Sequence, residues 1–382
     1  MATHVRSALV VVVVMAVALC SRTTDAFLFP TYSYAFAPST STRLASSFYD
    51  DMDYTAQRNQ VQERPDWAGE GVVSSLVSAL INNKFLYGFM KIGARKVLID
   101  NAEKKGVAWR DDAQALLNDR RLPNTFSRYF GESHAMMDYP SYYTQPFHAY
   151  QDGNLNWLAA AEVESATSAM CLRVWPKDVD IQPVEAQDRL RDSYQKEIRR
   201  QIIEGGTDPT SADLKILDVG CSAGISTRYL RRLFPSQHLT GLDLSPFFLA
   251  VAQLREEETP MGIEYMHAKA EDTGLPTASF DVATLTFVVH ELPSAATQAI
   301  AQEMFRVLRP GGTLAITDND PRSPVIQGLP KPIALLMKST EPFSDEYFTL
   351  DMERMLEKGG FERVKTVATD PRHRTILATK PK

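Results

Sequence analysis

The sequence predicts an α/β protein: a doubly wound, mostly parallel seven-stranded sheet in the C-terminal half, preceded by a largely helical N-terminal extension. Three observations carry that expectation. Beyond Lys215, apolar runs of strand length alternate with helix-length segments, the pattern of parallel strands joined by crossover helices. The first run, Ile216-Leu217-Asp218-Val219, breaks into Gly220-Cys221-Ser222-Ala223-Gly224, a glycine-bearing turn where a strand hands over to a helix. Only Asp370-Pro371 and its neighbours link the last two runs, so the final strand is expected to run antiparallel to the one before it.

Taken in order, residues 1–47 read as a targeting presequence. Arg6 precedes an uncharged apolar run over 8–20 of signal-peptide length, and Thr24 and Ala26 offer small residues for cleavage. Residues 27–47 then contain no acidic residue, many Ser and Thr and the single Arg43, the composition of an organelle transit peptide. The pair resembles the bipartite presequences of algae with secondary plastids, with Asp25-Ala26-Phe27 and Tyr34-Ala35-Phe36-Ala37-Pro38 as candidate junctions. A plastid location is expected, with the secretory pathway or a membrane anchor as the alternatives. Residues 48–70 are a polar, aperiodic linker.

Residues 71–205 form a helical and aromatic-rich cap region. Val73, Leu76, Val77 and Leu80, and later Ile92, Val97 and Leu98, recur at helical spacing. Residues 129–157 crowd Tyr, Phe and Trp among Pro, Gly and Asn, a density expected of a loop folded over a pocket rather than of a strand or helix. A helix over 185–204 ends at Gly205-Gly206. Residues 206–382 carry the sheet, with strands expected at 216–219, 238–243, 263–267, 282–287, 314–317, 364–368 and 375–379. Among the intervening helices the clearest covers 295–308, with Ala296, Ile300, Met304 and Val307 on one stripe and Arg309-Pro310-Gly311-Gly312 as its stop.

Composition narrows the function. With 382 residues, 44% hydrophobic and 23% charged, the chain is an ordinary globular protein with room for a large domain and substantial additions. A net charge of -6 disfavours phosphate neutralisation, so nucleic acid is not expected as a partner. No stable membrane insertion is expected once the presequence is gone. Of the three cysteines, Cys20 lies in the apolar run, leaving Cys171 and Cys221, too few for a disulfide framework.

The turn after the first strand places a ligand against backbone at the carboxyl edge of the sheet, where doubly wound folds bind ligands. Asp218 at that strand's end suits a cationic ammonium group, and Asp243, ending the second strand, suits a pair of ribose hydroxyls. A dinucleotide site is the competing reading. It wants G-x-G-x-x-G, whereas the spacing here is G-x-x-x-G and a carboxylate beside it would repel a pyrophosphate. A dehydrogenase is therefore not expected.

These segments, with Gly241-Leu242-Asp243-Leu244-Ser245, residues 268–276 and Val307-Leu308-Arg309-Pro310-Gly311-Gly312, resemble the ordered motifs of class I S-adenosylmethionine-dependent methyltransferases. The likeness is greatest to the small-molecule branch that acts in ubiquinone and menaquinone biosynthesis, and it covers roughly residues 214–382. It implies a Rossmann-like methyltransferase fold, S-adenosylmethionine as cofactor and a small-molecule methyl acceptor. Asp218 and Gly220 would face the methionine moiety and Asp243 the ribose, while Ala270, Glu271 and Asp272 would flank the adenine. Thr286 would lie near the cofactor at the fourth strand's end; Cys221, Gly224 and Leu244 complete the cofactor set. Ser222 departs from the family, which more often has a glycine there, and a slightly altered turn is expected.

Methyl transfer from a sulfonium needs positioning and exclusion of water more than it needs a base. If the acceptor must lose a proton, His290 and His148 are the candidate catalytic residues. His290 with Glu291 reads equally as a capped helix start, and His148 as a hydrogen-bonded loop histidine. Tyr143, Phe147 and Tyr150 in the aromatic segment are candidate acceptor contacts, and no metal centre is expected. Glu341-Pro342-Phe343 and Arg372-His373-Arg374 could clamp an anionic acceptor, although a solvated face also explains the latter. The expected function is methyl transfer to a small, partly apolar metabolite such as a quinone, pigment precursor or thioether acid. The alternative is a cofactor-binding but non-catalytic assembly or regulatory factor.

Overall fold

The computed structural model describes residues 62–68, 84–148, 150–235, 237–329 and 331–382. The presequence, most of the linker and the periodic positions from Val73 to Leu80 lie outside them. The N-terminal part comprises α1 (Lys84–Lys104), α2 (Trp109–Leu117), α3 (Arg121–Tyr129), α4 (Gly131–Met136), α5 (Trp157–Val174) and α6 (Pro183–Glu204). The sheet region follows as β1 (Lys215–Val219), α7 (Ile225–Leu233), β2 (His238–Asp243), α8 (Pro246–Glu258), β3 (Ile263–His267) and β4 (Phe280–Thr286). A single 3-10 turn (Val289–Glu291) leads to α9 (Ser294–Val307) and β5 (Leu308–Asn319). The chain finishes with α10 (Pro324–Gln327), α11 (Lys331–Thr340), α12 (Ser344–Thr349), α13 (Met352–Lys358), β6 (Glu362–Ala368) and β7 (His373–Thr379).

The seven strands form one sheet in the order β3-β2-β1-β4-β5-β7-β6. Six run in one direction, and only β7, inserted between β5 and β6, is antiparallel to its neighbours. Because helices cover both faces, the central strands are apolar on both sides. In β1, Ile216 packs with Tyr194, Ile198 and Ile202 of α6, whereas Leu217 and Val219 join Ile300, Met304 and Val307 of α9 on the other face. The order reverses at β1, whose neighbours are β2 and β4, and the crevice at their carboxyl ends is where such sheets bind ligands.

Two expectations need correction. The stretch read as a helix stop, Arg309 to Gly312, is strand: β5 starts at Leu308, directly after α9, and the register against β4 slips between Phe280 and Val282. Gly311, at φ 81°, takes up the extra residues of that bulge, so helix passes into strand without a loop. The aromatic segment is also shorter than expected, because α3 and α4 include Tyr129 and its successors and Trp157 opens the buried helix α5. Alanines 159, 160, 161 and 169 lie buried around α5, which therefore lacks the one-sided stripe that marks a surface helix. Its start was marked only by Asn156, whose side chain accepts the Ala159 N–H at 2.8 Å as an N-cap.

The extension packs onto the catalytic sheet's own helix. Phe126, Trp157 and Phe247 form an aromatic cluster with ring centroids 4.9–5.4 Å apart, and Leu116, Leu122 and Ala160 pack with Leu249, Ala250 and Val251 of α8. The residues between α4 and α5 cross the carboxyl edge of the sheet.

Candidate cofactor and acceptor site

The turn after β1 is built from positive-φ backbone at Gly220, Ser222 and Gly224. A Cβ on Gly224 would sit 2.3 Å from the Tyr265 hydroxyl and one on Gly220 2.5 Å from Val288, so both positions need glycine for space as well as for φ. Ser222 adopts φ 53° within this turn. Its N–H donates to Asp243 Oδ2 at 2.8 Å, and the Ser245 N–H donates to Oδ1 at 2.7 Å, which ties the turn to the end of β2. Ser222 Oγ is buried without a hydrogen-bond partner. Burial pushes the Asp243 carboxyl up to about 6, against the backbone donors of Ser245, Ser222 and Leu244 and with the charge of Asp218 adding to the rise.

A cavity of about 660 Å³ opens from this turn. Gly220, Cys221, Asp243, Leu244, Ala270, Glu271 and Thr286 line it from the cofactor motifs, and Tyr143, Phe147, His148 and Tyr150 line it from the aromatic segment. His290, Glu341, Pro342, Phe343 and Arg372 complete it from the loops after β4, α11 and β6. Its size is that of a pocket for one or two small organic molecules. Three expected residues stand apart from its lining: Asp218, Gly224 and Asp272. Gly224 caps α7, and Asp272 pairs its backbone with Lys269. Asp218, 1% exposed, has its carboxylate filled by hydroxyls: Ser226 and Thr227 donate to Oδ2 at 2.7 Å and Thr284 to Oδ1 at 2.8 Å. It pins the start of α7 to β1 and β4, and the expected ammonium contact is not prepared.

Both candidate histidines reach the cavity. The His290 ring is held through Nδ1 by Asp318 Oδ1 at 2.8 Å, and its own N–H donates to Asp318 Oδ2 at 3.1 Å. Burial alone would depress this imidazole; Asp318 overrides it and holds the pKa up, at about 10. His148, with φ 46°, has its N–H on Thr340 O at 3.2 Å and its Nε2 3.9 Å from Glu341 Oε1. Its side chain is 40% exposed, and desolvation with the neighbouring His290 charge lowers its pKa. Burial also raises Glu291, to about 8, and Asn154 donates to it at 3.3 Å. Above the cofactor motifs, Tyr142 donates to Glu271, and Tyr143 is half-buried where desolvation, helped by the Asp243 charge, raises its pKa. Tyr150 donates to Glu162, which Arg95 also holds. The Arg372-His373-Arg374 cluster is not a solvated face: His373 and Arg374 are buried, His373 on Asp370 at 2.8 Å, and Arg372 borders the cavity.

One site residue was missed in the sequence. Arg191 of α6 lines the cavity at 3% exposure, donates to the Tyr194 hydroxyl at 3.0 Å and lies 5.7 Å from the Phe287 ring centroid. Its Nε has no partner, and no ion pair to it exists among the described residues. The signal was available: Arg191 sits on the buried stripe of a helix with Leu190, Tyr194 and Ile198, where a cation needs a reason.

A glycine turn at a sheet switch point, a carboxylate ending the next strand and a cavity opening from both define an α/β domain for a nucleoside-type cofactor. Residues 217–316 match the methyltransferase-domain family. A demethylmenaquinone methyltransferase of Listeria welshimeri is 35% identical over 105 residues, covering 27% of this chain and 44% of its own. A ubiquinone biosynthesis O-methyltransferase of Xanthomonas axonopodis pv. citri is 26% identical over 222 residues, 56% of this chain and 87% of its own. The chain thus spans under half of the Listeria relative's length. Among solved structures, a SAM-dependent methyltransferase from Aquifex aeolicus superposes with a TM-score of 0.40 at 18% identity, over 55% of this chain and 97% of its own. Residues 217–316 thus carry a methyltransferase domain, and the chain is similar to the class I S-adenosylmethionine-dependent methyltransferases.

Proposed function

We propose that the chain transfers a methyl group from S-adenosylmethionine to a small, partly apolar acceptor of the quinone, pigment-precursor or thioether-acid type. One observation carries this: the cofactor turn and the aromatic segment open into the same cavity, so donor and acceptor share one space. The residues fit the cofactor. Asp243 retains acceptor capacity for ribose hydroxyls, and the orphaned Ser222 Oγ and the unpaired Arg191 offer donors for the amino-acid tail, Arg191 for its carboxylate. Ala270 and Glu271 border the adenine side. When bound, the cofactor supplies an electrophilic methyl on a sulfonium. The chain's part is to hold the acceptor in line and keep water out, and Tyr143, Phe147, Tyr150 and Phe343 supply an apolar, partly aromatic wall for that.

The test is incubation of the chain with methyl-labelled S-adenosylmethionine and a metabolite extract of the source cells. Label is expected in a small extractable product, and none with Asp243→Ala. Thermal stabilisation by S-adenosylhomocysteine with no labelled product in any extract would overturn the enzymatic reading. The composition of residues 1–47 supports a plastid location. A reporter fused to residues 1–60 is expected to enter plastids, and secretion to the medium would refute it.

A further inference from the structure

The cavity holds a group of side chains that methyl transfer alone does not require. His148, His290 and Glu341 each offer one ligating atom, and these three atoms lie within 4.8 Å of one another. They come from three separate elements: the aromatic segment, the 3-10 turn after β4, and the loop after α11. Their approach is enforced by backbone, since the His148 N–H donates to the carbonyl of Thr340, the residue before Glu341. The His290 Nδ1 is taken by Asp318 Oδ1 at 2.8 Å, which leaves Nε2 as its free nitrogen. Asp318 is fixed in turn by the Asn319 N–H at 2.7 Å. Glu341 Oε2 is buried with no hydrogen-bond partner.

We propose that His148, His290 and Glu341 bind a divalent transition-metal ion of the zinc, iron(II) or manganese class, with Asp318 orienting His290 behind it. Two imidazoles and one carboxylate form a set that such ions accept, with coordination positions left open. A carboxylate holding the far nitrogen of a ligating histidine is the usual support for one. Ligand atoms at about 2.0–2.2 Å from a common ion must draw together by about an ångström from their present separation. Rotation of Glu341, whose outer oxygen is unpartnered, supplies part of that closure. The open positions face the cavity, beside Arg372, so the chemistry they suit is an anionic oxygen donor: a phenolate, enolate or carboxylate. The ion would hold an acceptor by that oxygen, a role that rests on the methyl-transfer reading, whereas the site itself does not. No spacing signal for it is readable along the chain, because the ligands are scattered over 148, 290 and 341.

The test is titration of the chelator-stripped full chain with Co²⁺, followed by visible absorption, with Zn²⁺ as competitor. One ion per chain is expected, with ligand-field bands displaced by Zn²⁺. His148→Ala and Glu341→Gln are expected to abolish the bands, and Asp318→Asn to weaken binding about 10–100-fold. Each variant is first checked for thermal stabilisation by S-adenosylhomocysteine, which reports an intact fold at residues outside the triad. Absence of saturable Co²⁺ binding by the parent chain, or binding unchanged in His148→Ala and Glu341→Gln, would overturn the proposal. Co²⁺ binding without any response to S-adenosylhomocysteine would instead overturn the methyl-transfer reading and leave the metal site standing.

Discussion

Asp243 and Arg191 show how differently two site residues write themselves into a sequence. Asp243 ends a strand one crossover after a glycine turn, a pattern that can be read without coordinates, and the cavity reaches it as expected. Its pKa of about 6 gives the cofactor site a pH edge with a defined sign. The ionised carboxylate offers both oxygens as acceptors and protonation turns one of them into a donor, so affinity for S-adenosylhomocysteine is expected to be flat above about pH 7 and to fall below 6, by at most about tenfold per pH unit. Calorimetric titration from pH 5 to 8 measures this; Asp243→Asn should bind more weakly and lose the edge, and an unchanged edge in that variant would refute the assignment. Arg191 was hidden because a lone arginine among several in 189–200 looks like a wet helix face until packing shows which side is buried. Replacing it with Met removes a buried charge that makes no direct ion pair among the described residues. The free protein is expected to melt higher and to bind S-adenosylhomocysteine about 10–100-fold more weakly, the loss of a charged hydrogen bond. A variant that melts lower and binds normally would make Arg191 structural.

Among the elements, all seven strands were legible because parallel strands covered on both faces are apolar throughout and bounded by turn residues. What escaped notice lacked that contrast. The alanine-rich α5 is buried around its circumference, and the start of β5 carries Pro and Gly that ordinarily end structure. The order of the last strands was not fixed by local pattern either, since nothing within residues 362–379 says that β7 inserts between β5 and β6. Glu303 of α9 is an instance of one helix holding another element's loop. It accepts from the Thr273 N–H at 2.9 Å and from Arg306 at 2.7 Å, so it anchors the segment that carries Ala270 and Glu271. Arg306 first, then Thr273, lower its pKa to about 2. A depressed carboxyl contributes stability that is complete above its unfolded pKa of about 4.5 and is lost as pH falls from there toward 2. Glu303→Gln is expected to cost about 1–3 kcal/mol at pH 7 and to narrow the gap from the parent below pH 4, read by denaturant unfolding at both pH values. A constant gap across that range would exclude the carboxylate as its source.

At the scale of the whole molecule, the helical extension and the sheet domain close one site between them. Sequence indicated that residues 129–157 fold over a pocket, but not how they are tied down, because the ties join residues far apart in the chain. Tyr142 donates to Glu271, Asn154 donates to Glu291 at 3.3 Å, and Ser245 Oγ donates to the Asn154 carbonyl at 2.6 Å. Each tie lands on a segment that also lines the cofactor motifs or follows them directly. The cap is therefore coupled to the cofactor end of the cavity: ordering one should order the other, since a ligand that fixes Glu271 and Asp243 also fixes what the cap holds. Amide hydrogen exchange over residues 137–156 is expected to slow when S-adenosylhomocysteine binds, although most of that segment belongs to the acceptor wall. In a Tyr142→Phe, Asn154→Ala double variant the slowing should shrink while α5 and the sheet keep theirs, and dissociation of S-adenosylhomocysteine should quicken. Exchange over 137–156 that ignores the ligand in the parent chain would show the cap to be a fixed wall, with acceptor entry independent of the cofactor.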